Sequence, residues 1–146
     1  MSLAAKLRRA PGRIVTGAFI LNSGLGKLKA DEATAAGLHG MAVGAYPPLQ
    51  KLSTHLFTKA LAVSEVAIGH ALLLPIVPAG LAGIALTGFA LGLVGLYVRT
   101  PGLHDSKMRP TQAGTAIAKD IWMAGVGIGL VVDAALSESK VTSTEY

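Results

Sequence analysis

The chain contains 146 residues, which suffices for one domain, and 51% of them are hydrophobic while only 14% are charged. With a mean hydropathy of +0.55, it is too apolar for an ordinary soluble domain of this length, so the bilayer is its expected solvent. The sequence has no cysteine, which excludes disulfides, thiolate nucleophiles, CxxC redox pairs and cysteine-ligated iron–sulfur clusters. The net charge of +5 favours anionic lipid, and not nucleic acid, as a partner.

Residues 1–11 form a basic amino-terminal segment. Leu3 and Leu7 lie one helical turn apart with basic residues on the other side, a pattern typical of a short helix in the membrane interface. A solvated tail is one alternative and a signal peptide is another, although no small-residue cleavage site follows promptly. Pro11 then indicates the start of a first membrane span over residues 12–28.

Three further apolar runs are long enough to cross a bilayer, at about residues 57–74, 79–98 and 116–136. The short proline-containing turn after the second span makes the third span its antiparallel neighbour. Residues 31–49, between the first and second spans, predict an amphipathic helix on the membrane surface, with an ordered loop as the alternative. The polar residues 137–146 are typical of a disordered tail.

These elements predict an all-α fold: an integral membrane four-helix bundle with a basic amino-terminal interfacial segment and an amphipathic insert between helices 1 and 2. The spans, within residues 12–136, make up one multi-pass domain of the cell membrane. An even number of spans places both termini on the same side. The basic amino-terminal arm favours the cytoplasmic side, whereas the two long loops hold more Lys and Arg in total and favour the opposite orientation.

Glu65 is the leading candidate for a functional residue, because a carboxylate inside a membrane-length run is costly and must face protein or water. With a rise of about 1.5 Å per residue, it lies roughly 10 Å into its span from the loop side, as deep as the polar end of the first span. The expected polar cluster comprises Asn22, Ser23, Lys27, Glu65 and Asp120. Three roles are open: a Lys27–Glu65 pair that only joins two helices, a site for a small-molecule or quinone head group, and a proton path. The last is disfavoured, because no second carboxylate lies deep in the bilayer.

The histidines do not predict a metal or haem site. His70 would need a partner histidine or methionine at similar depth to hold haem, and none is apparent. We therefore expect it to be a hydrogen-bonded core histidine. His39, His55 and His104 with Asp105 all belong to the loop side, but their spacing matches no zinc-ligand motif. The sequence thus predicts no metal and no cofactor.

Glycines in GxxxG spacing predict helix-packing faces on the third and fourth spans. They are Gly88, Gly92, Gly125 and Gly129. Such faces allow close backbone approach, either by a neighbouring helix of this chain or by another membrane protein. Near the end of the fourth span, Asp133 is expected to pair with Arg13 or with water.

Three short motifs carry a resemblance to a known family. The first helix has an SGxxK-like end, formed by Ser23, Gly24 and Lys27. The second helix has a glutamate followed by a glycine, Glu65 and Gly69, and the fourth helix opens with the pair Lys119 and Asp120. Over roughly residues 12–135 the chain resembles the DoxX-like family. Its members are small four-helix membrane proteins, and some are linked to thiosulfate:quinone oxidoreductase or to membrane oxidoreductase assemblies.

Two functional classes follow from the sequence and this resemblance. The first is an accessory subunit without catalytic activity of its own, docked on a larger respiratory or oxidoreductase complex, with membrane lipids and the other subunits as partners. The second is a component that handles quinone or another small molecule through the polar cluster around Glu65. The absence of cysteine and of paired histidines disfavours the second class, because nothing in the chain can hold a redox centre.

Overall fold

The computed structural model describes the backbone of residues 3–142 and the side chains of residues 3–137, and this part of the chain is all-α, as predicted. Its helices are α1 (Leu3–Leu28), α2 (Glu32–Ala45), α3 (Thr54–Leu73), α4 (Ala79–Arg99), α5 (Thr115–Ala118) and α6 (Ile121–Thr142). A short 3-10 helix, Pro47–Lys51, follows α2. The only β feature in the described range is an isolated bridge between His104 and Pro110.

Three stretches of the described chain are long and apolar enough to cross a membrane: Thr54–Leu73, Ala79–Arg99 and Thr115–Ser137. They coincide with the second, third and fourth predicted spans. The helix α1 is not among them, because its uncharged stretch, residues 14–26, is bounded by a basic residue at each end. At about 1.5 Å per residue that stretch covers roughly 20 Å, against about 30 Å for the hydrocarbon core.

The helix α1 begins at Leu3 and continues through Pro11, so the break we expected between residues 11 and 12 is absent. A proline inside a helix removes one backbone hydrogen bond and costs about 3 kcal/mol. This loss is offset because basic side chains on both sides of the proline bind other helices, as described below. The amino-terminal segment is thus the first part of a long helix.

The long helices pack as two antiparallel pairs, α1 with α3 and α4 with α6, and the pairs touch each other less extensively. Glycines make both contacts close. A Cβ added to Gly24 would lie 2.8 Å from the carbonyl oxygen of Ala62, and one added to Gly83 would lie 2.7 Å from that of Gly127. Each pair is therefore locked by backbone approach that any side chain would prevent.

The four glycines predicted to pack helices do not make these contacts. A Cβ added to Gly88, Gly92, Gly125 or Gly129 would meet no heavy atom within 4 Å. Within the chain, the contact between α4 and α6 uses Gly83 and Gly127 instead. A four-residue spacing identifies residues that share a helical face, but α4 and α6 carry glycines on more than one face, and the spacing does not say which face is covered.

Arg13 caps the carboxyl end of α3. Its guanidinium donates to four carbonyl oxygens, those of Leu72 (2.7 Å), Leu74 (2.8 Å), Ala71 (2.9 Å) and Val77 (3.1 Å). The last carbonyls of a helix have no helical donor, so this buried arginine satisfies groups that would otherwise be orphaned.

Asp133 of α6 binds Arg8, at 2.6 Å, and Arg9, so the expected pairing with Arg13 is wrong. Arg13 lies one turn further along α1 than Arg9, and its guanidinium reaches the carboxyl end of α3, whereas that of Arg9 reaches α6. The Arg8 and Arg9 contacts place the first turns of α1 beside the last described turns of α6.

The insert between α1 and α3 is helical, as predicted, but it is not clearly amphipathic, because the apolar residues of α2 are spread around the helix. Asp31 caps it by accepting a hydrogen bond from the Thr34 amide at 2.8 Å. Hydrogen bonding with the Thr34 side chain, followed by the bond from the Thr34 amide, lowers the pKa of the Asp31 carboxyl. The helix α2 packs against α3 and α4. It therefore covers the loop end of the long helices.

Candidate functional site

A cavity of about 480 Å³ lies at the loop end, where residues from α1, α2, α3, α4 and the α5–α6 segment converge. Most of its wall is apolar and includes Phe19, Leu38, Met41, Phe57 and Phe89. Its charged residues are Lys27, Glu65, Lys119 and Asp120. The space is thus amphipathic, with its charges contributed by α1, α3 and the start of α6.

The ion pair of Lys27 and Glu65 forms the most sheltered part of this polar wall. Lys27 Nζ donates to Glu65 Oε2 at 2.9 Å and to Ser23 Oγ at 2.7 Å. Ser23 and Lys27 are four residues apart on α1 and so share a face. The Glu65 side chain is only 6% exposed and that of Lys27 is 20% exposed. The structure therefore joins these three members of the predicted cluster, and a buried carboxylate receives the cation that it requires.

Asp120 lies where α5 ends and α6 begins. The backbone turns at Lys119 and Asp120: the Asp120 amide donates to Ile117 O at 3.0 Å, and the Met123 amide donates to Asp120 O at 3.0 Å. The fourth span, predicted to be continuous, is therefore interrupted at Lys119 and Asp120. The sequence gives no sign of this interruption, because no proline or glycine lies there and the segment as a whole is apolar. The break places Asp120 next to the first residue of α6, where the helix dipole stabilises a carboxylate.

The Asp120 carboxylate is half-buried and lines the cavity. The charges of Lys119, Lys27 and Glu65 all act on it. Nevertheless, among side chains 3–137, none makes a hydrogen bond or an ion pair with this carboxylate. Asp120 is thus a member of the predicted cluster that keeps both carboxylate oxygens available.

Asn22 is exposed and does not line the cavity. Its depth along α1 is close to that of Ser23, as the sequence indicated. Successive residues of a helix are rotated by about 100°, however, so the two side chains point in different directions. Asn22 is the one member of the predicted cluster that the structure does not bring to the cavity.

Several residues that line the cavity were not predicted to do so, including two of the glycines that were expected to pack helices. Gly88 and Gly92 border the cavity, and their lack of side chains leaves part of its volume empty. Tyr46 donates from its hydroxyl to Gly92 O at 2.8 Å, and the Arg99 guanidinium lies 4.9 Å from the Tyr46 ring. This contact fastens the end of α2 over the cavity. The sequence does hold one sign of this contact: Tyr46, an aromatic residue with a hydrogen-bonding hydroxyl, lies just before the two prolines that follow α2.

His70 is exposed and its Nδ1 lies 2.8 Å from Val66 O, so it is hydrogen-bonded as expected but is not a core residue. His39 lies between Thr54 Oγ1 and Leu49 O, each at 3.1 Å, and joins α2 to the start of α3. Within the part of the chain that the structure describes, no group of three or more histidine, aspartate or glutamate side chains could hold a metal ion.

His104, in the loop before α5, has an imidazole that contacts two backbone carbonyl oxygens. They belong to Asp105, at 3.0 Å from Nδ1, and Val98, at 3.1 Å from Nε2. Hydrogen bonds to these two carbonyls, that of Asp105 first, raise the pKa of His104, because only the protonated ring can donate to both.

The geometry suits recognition of a molecule that has a polar head and an apolar body. An ion pair and an unpaired carboxylate lie beside an apolar space. A ligand with a polar head and an apolar body can place its head near these charges and its body in the apolar space, without any covalent step. No family model, no curated protein and no solved structure matches this chain.

Proposed function

We propose that this chain is an integral membrane protein that binds an amphipathic small molecule in the cavity at its loop end. The observation that carries the proposal is the placement of Lys27, Glu65 and Asp120 on an otherwise apolar wall. A volume of about 480 Å³ falls within the roughly 300–1,000 Å³ of small-molecule sites, which combine apolar walls with a few placed polar groups. The head group lies near these charges and the apolar body lies against Phe19 and Phe89.

The proposal includes α1 as a fourth transmembrane helix beside α3, α4 and the α5–α6 segment. The basic residues that bound its uncharged stretch are satisfied inside the protein: Arg13 by backbone carbonyls and Lys27 by Glu65. Charged groups are tolerated at membrane depth when they face the protein interior and are paired. The four-helix bundle then places both termini on one side of the membrane, which the basic amino-terminal arm favours as the cytoplasmic side.

This function belongs to the second class that the sequence left open. Quinone is one molecule with a suitable shape, but the proposal requires only binding and no redox centre in this chain. The resemblance to the DoxX-like family stays a prediction.

A second candidate function, that of an accessory subunit, is favoured by the outer face of α6. Gly125 and Gly129 are exposed, with open space around an added Cβ, and Ile121, Ile128 and Val132 beside them are exposed as well. Another transmembrane helix could approach such a face closely. Native purification with mass spectrometry tests this candidate: Gly129→Leu should lose co-purifying subunits that the wild type retains.

The binding proposal can be tested through Trp122, the single tryptophan of the chain. Its ring lies 6.0 Å from that of Phe19, which lines the cavity. In phosphatidylcholine vesicles, 12-bromododecanol should quench Trp122 fluorescence saturably. Gly92→Leu should abolish the saturable component of this quenching, because the leucine side chain would fill part of the cavity. The space around Gly92 is empty, so the substitution should not disturb the helix packing.

Gly125→Leu is the matched control, since it adds the same side chain to another exposed glycine outside the cavity. It should keep saturable quenching. Equal quenching in the wild type and in Gly92→Leu would show that the probe reaches Trp122 only from the bilayer, and the binding proposal would then be wrong.

A further inference from the structure

The sheltered charges of the cavity do not cancel. Lys27 donates to both Ser23 and Glu65, so this ion pair is neutral as a unit. Asp120 adds a carboxylate that, among side chains 3–137, has no ion-pair partner. Lys119 is exposed, and its Nζ lies 5.8 Å from the centre of the Phe19 ring. The sheltered groups therefore carry a net charge of about −1 when all are ionised.

Resting on the proposed function, we infer that the molecule bound in this cavity is an amphipathic cation, a single apolar chain with an ammonium head that pairs with the Asp120 carboxylate. The apolar wall accepts the chain, and the unpaired carboxylate at the α5–α6 break accepts the head. Lys27 neutralises Glu65 but not Asp120. A cationic head would neutralise the Asp120 carboxylate.

An anionic head group fits these charges poorly. It would meet two carboxylates, Glu65 and Asp120, while the ammonium of Lys27 is already engaged by Glu65 and Ser23. Lys119 is the remaining cation, but an exposed ammonium gains little from pairing because water screens it.

A neutral alcohol could donate one hydrogen bond to Asp120. That bond is already charge-assisted, because its acceptor is a carboxylate. An ammonium donates a bond of the same kind and adds the Coulombic attraction of a positive charge, which the alcohol lacks. The dipole of α6 acts on the Asp120 carboxylate through space, so it leaves both carboxylate oxygens free to accept hydrogen bonds from a ligand. The site should therefore distinguish molecules of equal chain length by the charge of their heads.

Three probes with the same chain test this inference: 12-bromododecylammonium, 12-bromododecanol and 12-bromododecanoate. Each is titrated into phosphatidylcholine vesicles that contain the full chain, and the quenching in Gly92→Leu is subtracted as the bilayer background. The ammonium should bind about tenfold more tightly than the alcohol, because the attraction between its positive charge and the Asp120 carboxylate adds to the hydrogen bond that both heads can donate. The carboxylate should bind most weakly.

Asp120→Asn should bring the ammonium to the affinity of the alcohol and leave the alcohol within a factor of about two or three, since an amide still accepts a hydrogen bond. Asp31→Asn is the control, because it removes the same charge at an exposed position outside the cavity, where asparagine caps a helix equally well. It should keep the ammonium preference.

The outcomes separate the two proposals. Saturable binding with equal affinity for the three probes, or a preference for the carboxylate, overturns the cationic head and leaves cavity binding intact. An ammonium preference that survives in Asp120→Asn also overturns it. Quenching of every probe that is identical in the wild type and in Gly92→Leu overturns both. The ranking of probes on the wild type decides the inference even if Asp120→Asn fails to fold.

Discussion

Replacing either partner of the Lys27–Glu65 ion pair should destabilise the protein, and the loss of Lys27 should cost more. The Glu65 side chain is 6% exposed and the Lys27 side chain is 20% exposed. Lys27→Met leaves a deeply buried carboxylate without its cation, a change that costs about 3–5 kcal/mol in comparable buried pairs. Glu65→Gln leaves an ammonium that is more exposed and keeps its bond to Ser23, so we expect about 1.5–3 kcal/mol, the range for one hydrogen bond to a charged group.

A double-mutant cycle in detergent, read by thermal or denaturant unfolding, measures this asymmetry. The loss in the double variant should be smaller than the sum of the two single losses, because the second substitution removes a charge that the first left unpaired. Asn22→Ala serves as the control on the same turn of α1. It should change stability by less than about 0.5 kcal/mol, since this side chain is exposed. Additive losses, or a larger loss for Glu65→Gln than for Lys27→Met, would refute the reasoning.

Arg13→Lys should destabilise by about 2 kcal/mol in detergent unfolding, because a single ammonium cannot replace a guanidinium that donates to four carbonyls; a stability equal to wild type would exclude the capping role. Gly83→Val should cost about 1–3 kcal/mol by pushing α4 away from α6, and Gly129→Val, its exposed control, should cost about 1 kcal/mol or less. For His104, NMR titration should give a pKa above 6.5. Because that pKa is raised on folding, the stabilisation from His104 is complete at pH values below the unfolded pKa and disappears as the pH rises through the folded one. His104→Gln should remove this part of the pH dependence, and an unchanged pH profile in that variant would contradict the assignment.

The sequence predicts the helical class, the three long apolar segments and the pairing of Lys27 with Glu65. These features depend on composition and on distance along a helix, both of which can be read from one chain. A buried carboxylate needs a cation, and Lys27 lies at the same end of the bundle with a side chain long enough to reach it. Position along the helix axis, together with the length of the lysine side chain, therefore suffices to predict this pair from the sequence.

The rotation of each helix about its axis was harder to predict, and most errors arise there. Asn22 was placed in the cluster by depth alone, but its helical face points away. The GxxxG spacing of Gly88 and Gly92 did not identify the contact within the chain, which uses Gly83, and packing of these glycines against another protein stays a prediction. Which face is covered depends on how the neighbouring helix is rotated, and this is determined by the packing of all helices together.

Backbone irregularities were the other source of error. Pro11 predicted a helix start, but long-range bonds from arginines on either side keep the helix continuous. Lys119 and Asp120 gave no sign of a break, although the chain turns there. In both places tertiary contacts outweigh the local preference of the sequence, and a single chain does not reveal such contacts.

The long helices form two closely packed pairs that are joined at one end of the molecule and enclose the cavity at the other. At one end the pairs are joined by the short turn between α3 and α4 and by the bonds of Arg8 and Arg9 to Asp133. At the other end they enclose the cavity, and the hydroxyl of Tyr46 on Gly92 fastens α2 across it. A change in the angle between the pairs would therefore alter the width of the cavity mouth without disturbing the close glycine contacts within each pair. Entry of a ligand by this route would change the Tyr46–Gly92 hydrogen bond and the contacts between the two pairs, which are less extensive than those within each pair.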